Sequence, residues 1–305
     1  MISEVPDYPR AGRRAAVLGH PIAHSLSPLL HRAAYAALGL PDWTYQALDV
    51  EEAGLTAFLA GAGPGWAGWS LTMPLKRVVR PFLVRESDVA RDVGAVNTVL
   101  VAPDGLEGYN TDVHGIVEAF GERGVHDAPG APVPVRRGVV LGGGATAASA
   151  VAALQELGCR EPAVHVRAVA RAGDLLEAGD RLGVDVTLRP FTAEAVVESV
   201  TDADLVVSTL PAGVADPLVA DGVAAAAGHR RPVLLDVVYD PWPTTLATAW
   251  AAAGAPVVGG FVMLVHQAYG QVHLMTGRRP PVAEMRAAGE AALAARPAAL
   301  STPRR

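Results

Sequence analysis

The chain has one cysteine, one lysine and few aromatic residues, and each shortage closes off possibilities. A single cysteine, Cys159, cannot form an intrachain disulfide, which excludes a disulfide-stapled scaffold and fits a reducing cytoplasm. Cys159 itself reads as a small buried hydrophobe near a helix end. With aromatics at only 5%, the apolar half of the chain is mostly Ala, Val and Leu, whose small side chains suit helices packed on a parallel sheet. No stretch reaches the ~18 consecutive apolar residues of a membrane span. The opening residues lack the basic region and apolar run of a signal peptide. The net charge of −6 comes with no basic stripe, so nucleic acid is not an expected partner. His20, His24, His31 and His266 are not spaced as a ligand cluster, so no metal is expected.

What is present is alternation. The chain's 305 residues suit two domains better than one. Ala15 to Leu18 reads as a buried strand, Pro28 to Leu38 as a helix stopped by Gly39, and Thr44 to Val50 as a strand. Glu51 to Ala60 is helical, Trp69 to Thr72 and Val96 to Val101 are strands, and Pro103-Asp104-Gly105 is a turn. Asp127 to Arg137 reads as a surface loop and Arg296 to Arg305 as a frayed tail. Between them, strands at Gly138 to Leu141, Ala163 to Ala170, Asp204 to Ser208 and Val233 to Val238 imply a doubly wound parallel sheet. Two helices, Val262 to Met275 and Val282 to Ala295, close the chain. The expected fold is two α/β domains. Residues 1–113 and 259–305 form a substrate-binding catalytic domain, to which the C-terminal helices return. Residues 114–258 form a Rossmann-type dinucleotide domain.

The spacing Gly142-x-Gly144-x-x-Ala147 falls directly after a strand and before a helix, the context of a phosphate cradle. The helix start after Gly143, Gly144, Ala145 and Thr146 would offer free N–H groups to a pyrophosphate. Dinucleotide sites for NAD usually place an acid at the end of the next strand, and those for NADP often an arginine. Here Arg171 stands there, with no acid before Asp174, so NADP is the expected cofactor.

Gly19-His20-Pro21-Ile22-Ala23-His24-Ser25-Leu26-Ser27-Pro28 joins a strand to a helix, and its two hydroxyls at a helix start can hold a carboxylate. With His31 added, this stretch resembles the opening motif of the shikimate dehydrogenase family. Five further blocks resemble that family in the same order: Ser70 to Lys76, Gly94 to Val99, Gly108 to Gly115, Asp236 to Pro241 and Met263 to Ala268. Ser70 stands where many relatives have asparagine, and Ala170 and Ala172 flank Arg171 where they often carry Asn and Thr.

The resemblance implies an NADP-dependent reduction of 3-dehydroshikimate to shikimate, a step of chorismate and aromatic amino-acid biosynthesis, by a cytoplasmic monomer or homodimer. It implies Lys76 and Asp112 as the catalytic pair. Ser25 and Ser27 would hold the substrate carboxylate; Thr72, Asn97, Tyr239 and Gln267 would surround the substrate; Gly260 would sit near the nicotinamide. The residue types suit the chemistry, because a lysine beside an aspartate can move a proton and stabilise a developing alkoxide. Lys76 is the chain's one lysine, so the compact, titratable ammonium is used at this position alone. Two alternatives stay open: a preference for quinate or an aminated analogue, and a catalytically silent, cofactor-binding regulatory relative.

Overall fold

The computed structural model describes residue 6, residues 13–125 and residues 135–296, apart from the side chain of Arg171. The loop expected at 127–137 and the tail expected at 296–305 fall largely outside these residues. Two six-stranded sheets organise the rest. The first holds β1 (Arg14–Gly19), β2 (Thr44–Asp49), β3 (Trp66–Leu71), β4 (Arg85–Glu86), β5 (Thr98–Ala102) and β6 (Gly105–Tyr109), in the order β2-β1-β3-β5-β6-β4. β1 pairs in parallel with both β2 and β3, whereas β5 is antiparallel to β3 and to β6. The β5–β6 hairpin turns over Pro103 and Asp104, with Ala102 paired to Gly105.

The second sheet holds β7 (Gly138–Leu141), β8 (Ala163–Val166), β9 (Thr187–Pro190), β10 (Leu205–Ser208), β11 (Val233–Asp236) and β12 (Val257–Gly259). Every pairing is parallel, and the order is β12-β11-β10-β7-β8-β9. Counted from β7, that is the 3-2-1-4-5-6 order of a dinucleotide-binding sheet, with its switch point between β7 and β10. Both faces are apolar because successive side chains alternate between two cores. Val140, Leu205, Val207 and Leu235 face one, with the helices Asp112–Gly121 and Ala145–Glu156. Val139, Leu141, Val206 and Leu234 face the other, with Trp250 of the helix Thr245–Ala252.

The helices Gly260–Thr276 and Val282–Ala294 return to the first sheet. Val265, Ala268, Val272 and Met285 share a core with Ala15 and Val17 of β1 and with Leu30 and Ala34 of the helix Ser27–Ala37. The doubly wound fold and the returning helices agree with the sequence. One strand does not: the run expected over Ala163–Ala170 stops at Val166 and continues as a tight turn over Val169–Arg171. β9 ends opposite, with Val166 paired to Pro190, and the last bond of the ladder runs from Phe191 N to the Val166 carbonyl at 3.1 Å.

Candidate functional site

The carboxyl ends of β1, β3, β7 and β11 converge on one cleft between the sheets, where open α/β folds place ligands. A cavity of about 240 Å³ lies there, walled by residues from both bodies. Seven of the eight residues expected at the catalytic and substrate positions line it: Ser25, Ser27, Thr72, Lys76, Asp112, Tyr239 and Gln267. Thr146 and Gly260 complete the wall toward the second sheet. Asn97 lies fully buried behind that wall.

Lys76 and Asp112 meet directly. Lys76 Nζ donates to Asp112 Oδ2 at 2.5 Å, with the lysine side chain 13% and the aspartate 4% exposed. Their 36-residue separation in sequence is closed by the fold. Lys76 sits in the short helix Leu75–Val78 that follows β3, and its carbonyl accepts from Val96 N at 2.8 Å. Asp112 is the first residue of its helix, whose start is capped by Asn110: Oδ1 of Asn110 accepts from Asp112 N at 3.0 Å and Val113 N at 3.3 Å. Asn110 also donates to the Ala95 carbonyl and to Ser149 Oγ of the glycine-loop helix.

Asn97 is the hub behind the pair. Its Nδ2 lies 2.8 Å from Asp112 Oδ1, 2.9 Å from Thr111 Oγ1 and 3.1 Å from Gln267 Oε1. Its Oδ1 accepts from Thr111 N and Thr98 Oγ1, each at 2.8 Å. Close helix packing brings Gln267 within reach. A Cβ on Gly115 would stand 2.8 Å from the Met263 carbonyl and 3.0 Å from Gln267 Cβ, so only glycine lets these helices approach so near.

A second polar chain forms the floor and was not anticipated from the sequence. The buried Tyr45 hydroxyl donates to Ser70 Oγ at 2.6 Å, and Ser70 donates to Gln271 Oε1 at 2.8 Å. Gln271 Nε2 donates to the Asn97 carbonyl at 3.2 Å and to Gln267 Oε1 at 3.3 Å. Tyr45 stacks on His31 at 3.8 Å between ring centroids. Burial drives the Tyr45 phenol well above its ordinary pKa and the His31 imidazole down to about 3, so both stay neutral. The missed signal was reach: Gln271 lies one helical turn beyond Gln267, on the same face.

At the other end of the cavity, Ser25 Oγ accepts from Ser27 N at 3.3 Å where the helix Ser27–Ala37 begins. Tyr239 arrives from the loop after β11; burial raises its phenol, opposed by the Arg296 charge and a hydrogen bond from the Leu26 backbone.

The glycine loop has the shape its sequence implied. Gly142 has φ +123°, and a Cβ there would lie 2.3 Å from Thr209 Oγ1. Nothing lies within 4 Å of a Cβ placed on Gly144, which leaves the backbone open to a ligand at the start of the helix Ala145–Glu156. Gly143, Ala145 and Thr146 complete this turn at the switch point, a cradle that fits a pyrophosphate. Arg167 is exposed immediately after β8, while the side chain of Arg171 lies outside the described residues. Among the described residues, no group of three or more His, Cys, Asp or Glu could hold a metal, and no helix is long and apolar enough to cross a membrane.

Known proteins resemble this chain over nearly its whole length. Residues 17–99 match the family model described as the shikimate dehydrogenase substrate binding domain, and residues 260–288 match the shikimate 5'-dehydrogenase C-terminal domain. A shikimate dehydrogenase (NADP(+)) from Citrifermentans bemidjiense is 39% identical, over 95% of this chain and 96% of its own length. The crystal structure of Mycobacterium tuberculosis shikimate dehydrogenase superposes with a TM-score of 0.80 at 40% identity, covering 92% of this chain and 99% of that one. A Thermus thermophilus shikimate 5-dehydrogenase, solved in complex with NADP(H) and shikimate, has a TM-score of 0.74 at 32% identity, over 92% of this chain and 99% of that one. With relatives this similar over nearly its whole length, the chain belongs to the shikimate dehydrogenase family.

Proposed function

We propose that this chain is a shikimate dehydrogenase that uses NADP to interconvert 3-dehydroshikimate and shikimate. The observation that carries the reading is the Lys76–Asp112 contact at 2.5 Å, in the wall of a cavity sized for one small ring and adjoining the glycine turn. Gly142, Gly143, Gly144, Ala145 and Thr146 would hold NADP, with Gly260 near its nicotinamide, and the cofactor would supply the hydride acceptor. Arg171 and the exposed Arg167 are the cations for its 2'-phosphate.

The chain's own groups handle the proton and the orientation. Ser25 and Ser27 bind the ring carboxylate at the helix start, with the Tyr239 hydroxyl beside them. Thr72 and Gln267 bind ring hydroxyls, and Asn97 fixes Asp112 and Gln267 from behind. In oxidation, the hydroxyl proton leaves to the Lys76–Asp112 pair as the hydride leaves carbon. In reduction, the Lys76 ammonium donates to the ketone oxygen and offsets the charge developing there. The near-complete burial of Asp112 strengthens this interaction, since little water competes.

The two sheets support a division into a substrate body, residues 1–113 and 259–305, and a dinucleotide body, residues 114–258. The proposed assembly is a monomer or a homodimer with one site per protomer. A cytoplasmic setting accords with a single cysteine, the buried Cys159, which has no intrachain disulfide partner.

The test is NADPH formation with shikimate, run beside Lys76→Ala and with quinate and amino analogues in parallel. The expected result is turnover with shikimate at the highest specificity constant, and a loss of at least about a hundredfold in kcat for Lys76→Ala. Absence of turnover with every polyol would remove the reading, and a higher specificity constant for quinate would change its substrate.

A further inference from the structure

The last described residue of the chain, Arg296, lies just beyond the helix Val282–Ala294, which packs on the helix Ser27–Ala37 of the substrate body. Its side chain reaches two segments that border the cavity from opposite bodies. Nη1 pairs with the carboxylate of Asp240, the residue after Tyr239 in the loop that leaves β11 of the dinucleotide sheet. Nη2 donates at 3.0 Å to the carbonyl of His24, the residue before Ser25 in the loop that leaves β1. One guanidinium therefore ties together the serine loop and the tyrosine loop. The Arg296 side chain is 30% exposed and that of Asp240 36%, so the contact is partly shielded from water and ions. The same charge lowers the Tyr239 phenol pKa against the effect of burial, which places Arg296 within electrostatic reach of the site.

On the other half of the second sheet, different residues bridge the bodies. Arg77 meets Asp174 at 2.5 Å, and Arg181 donates to the Asp92 carbonyl at 2.9 Å. These flank the glycine-loop side of the cleft. Arg296 serves the side where the serines and Tyr239 gather.

We propose that Arg296 is a positioning residue for the reaction: a cross-body clasp that holds the Ser25–Ser27 loop against the Tyr239 loop so that their hydroxyls stand together to receive the substrate carboxylate. The proposal rests on the functional reading above. Arg296 touches no reacting atom. It sets the fraction of molecules in which the two loops are assembled, and apparent substrate affinity scales with that fraction. Arginine suits the task because its planar fork can reach a carboxylate and a carbonyl at once, which an ammonium on a flexible stem does less well.

The test compares Arg296→Ala, Arg296→Lys, Asp240→Ala and the double variant Arg296→Ala/Asp240→Ala. For Arg296→Ala we expect the shikimate KM to rise about fivefold, the scale of a partly exposed ion pair. We expect kcat and the NADP KM to stay within about twofold, and Arg296→Lys to recover part of the loss. The double variant is expected to be no worse than Arg296→Ala, because both single changes break the same contact. Hydrogen exchange on the unliganded protein gives a readout independent of turnover: in Arg296→Ala, peptides spanning 20–27 and 237–243 should exchange about fivefold faster, with β7 and β10 unchanged. An unchanged shikimate KM, a parallel rise in both KM values, additive single effects or unaltered exchange in the two loops would each overturn the clasp. A wild-type protein without turnover would sink the functional reading instead, and the exchange measurement would still decide on Arg296.

Discussion

Replacing Asn97 with alanine removes the hub on which both halves of the substrate wall depend. The amide lies within hydrogen-bond distance of Asp112 Oδ1, Thr111 Oγ1 and Gln267 Oε1, and its carbonyl oxygen accepts from Thr111 N and Thr98 Oγ1. The residue is fully buried, so its abandoned partners gain no direct water in exchange. About three lost bonds at roughly 1 kcal/mol each, plus the cost of a carboxylate left short of a donor, come to about 3–5 kcal/mol. For a protein of this size, that is a fall in melting temperature of about 5–8 °C. Activity falls for a separate reason: Asp112 loses the contact that fixes the carboxylate rotation, and kcat drops about a hundredfold. Thermal unfolding followed by circular dichroism and steady-state NADPH formation measure the two effects. Asn97→Asp sharpens the case. Two carboxyls about 3 Å apart cannot both ionise, so one binds a proton well above its ordinary pKa. The protonated form can still donate to Asp112, and the ionised form cannot. Activity relative to wild type should therefore fall as pH rises. Melting within about 2 °C of wild type and kcat/KM within about threefold for Asn97→Ala would refute the hub.

Gly142→Ala forces a side chain into φ +123°, with its Cβ 2.3 Å from Thr209 Oγ1; the NADP KM should rise at least about tenfold with the shikimate KM nearly unchanged, and equal effects on both would count against a phosphate cradle. His31 is held neutral by burial with its pKa near 3, whereas the unfolded chain protonates it below about pH 6.5. Its folded pKa is depressed, so the unfolded state binds the extra proton, and stability falls from about pH 6.5 toward pH 3 by up to about 1.4 kcal/mol per pH unit. His31→Phe keeps a ring against Tyr45, loses the bond to the Ser27 carbonyl, and should flatten that slope; urea unfolding near pH 7 and pH 4 checks it, and an unaltered slope would exclude His31 as its source.

The second sheet was readable because its central strands are short apolar runs that both cores bury, as at Val139-Val140-Leu141 and Leu205-Val206-Val207. Its edges were not. β9 reads Thr-Leu-Arg-Pro and is only partly buried, and β12 is three residues long, so neither carries a run to notice. β6 was hidden for another reason: Gly105-Leu-Glu-Gly-Tyr contains two glycines, and Gly108 is there because a Cβ would strike Leu83 and Val96. The antiparallel turn of β5 and β6 is a tertiary outcome that strand–helix alternation cannot announce. The expected strand beyond Val166 was cut short by the tight turn over Val169–Arg171, which follows the last ladder bond from Phe191 N to the Val166 carbonyl and has no signal in an apolar run.

The candidate site divides along the same physical boundary. Residues proposed to meet the ligand occur in short local blocks, and each block survives in the sequence as a motif. Residues that hold those blocks in place act across the fold: Tyr45 through Ser70 to Gln271, and Arg296 from the far end of the chain to His24 and Asp240. Asp112 shows why the two kinds cannot be separated. Its cap, Asn110, and its brace, Asn97, tie it to the first body, while Val113, Ile116, Ala119 and Phe120 of the same helix lie in the core of the second. The carboxylate therefore stands on a helix that packs in both bodies, as the helix Gly260–Thr276 also does through Met263 and Val265, and Lys76 on a short helix of the first. A rotation of one body against the other would have to be accommodated by these two helices, so Asp112 and its 2.5 Å contact with Lys76 lie where the relation of the two bodies and the assembly of the proposed catalytic pair meet.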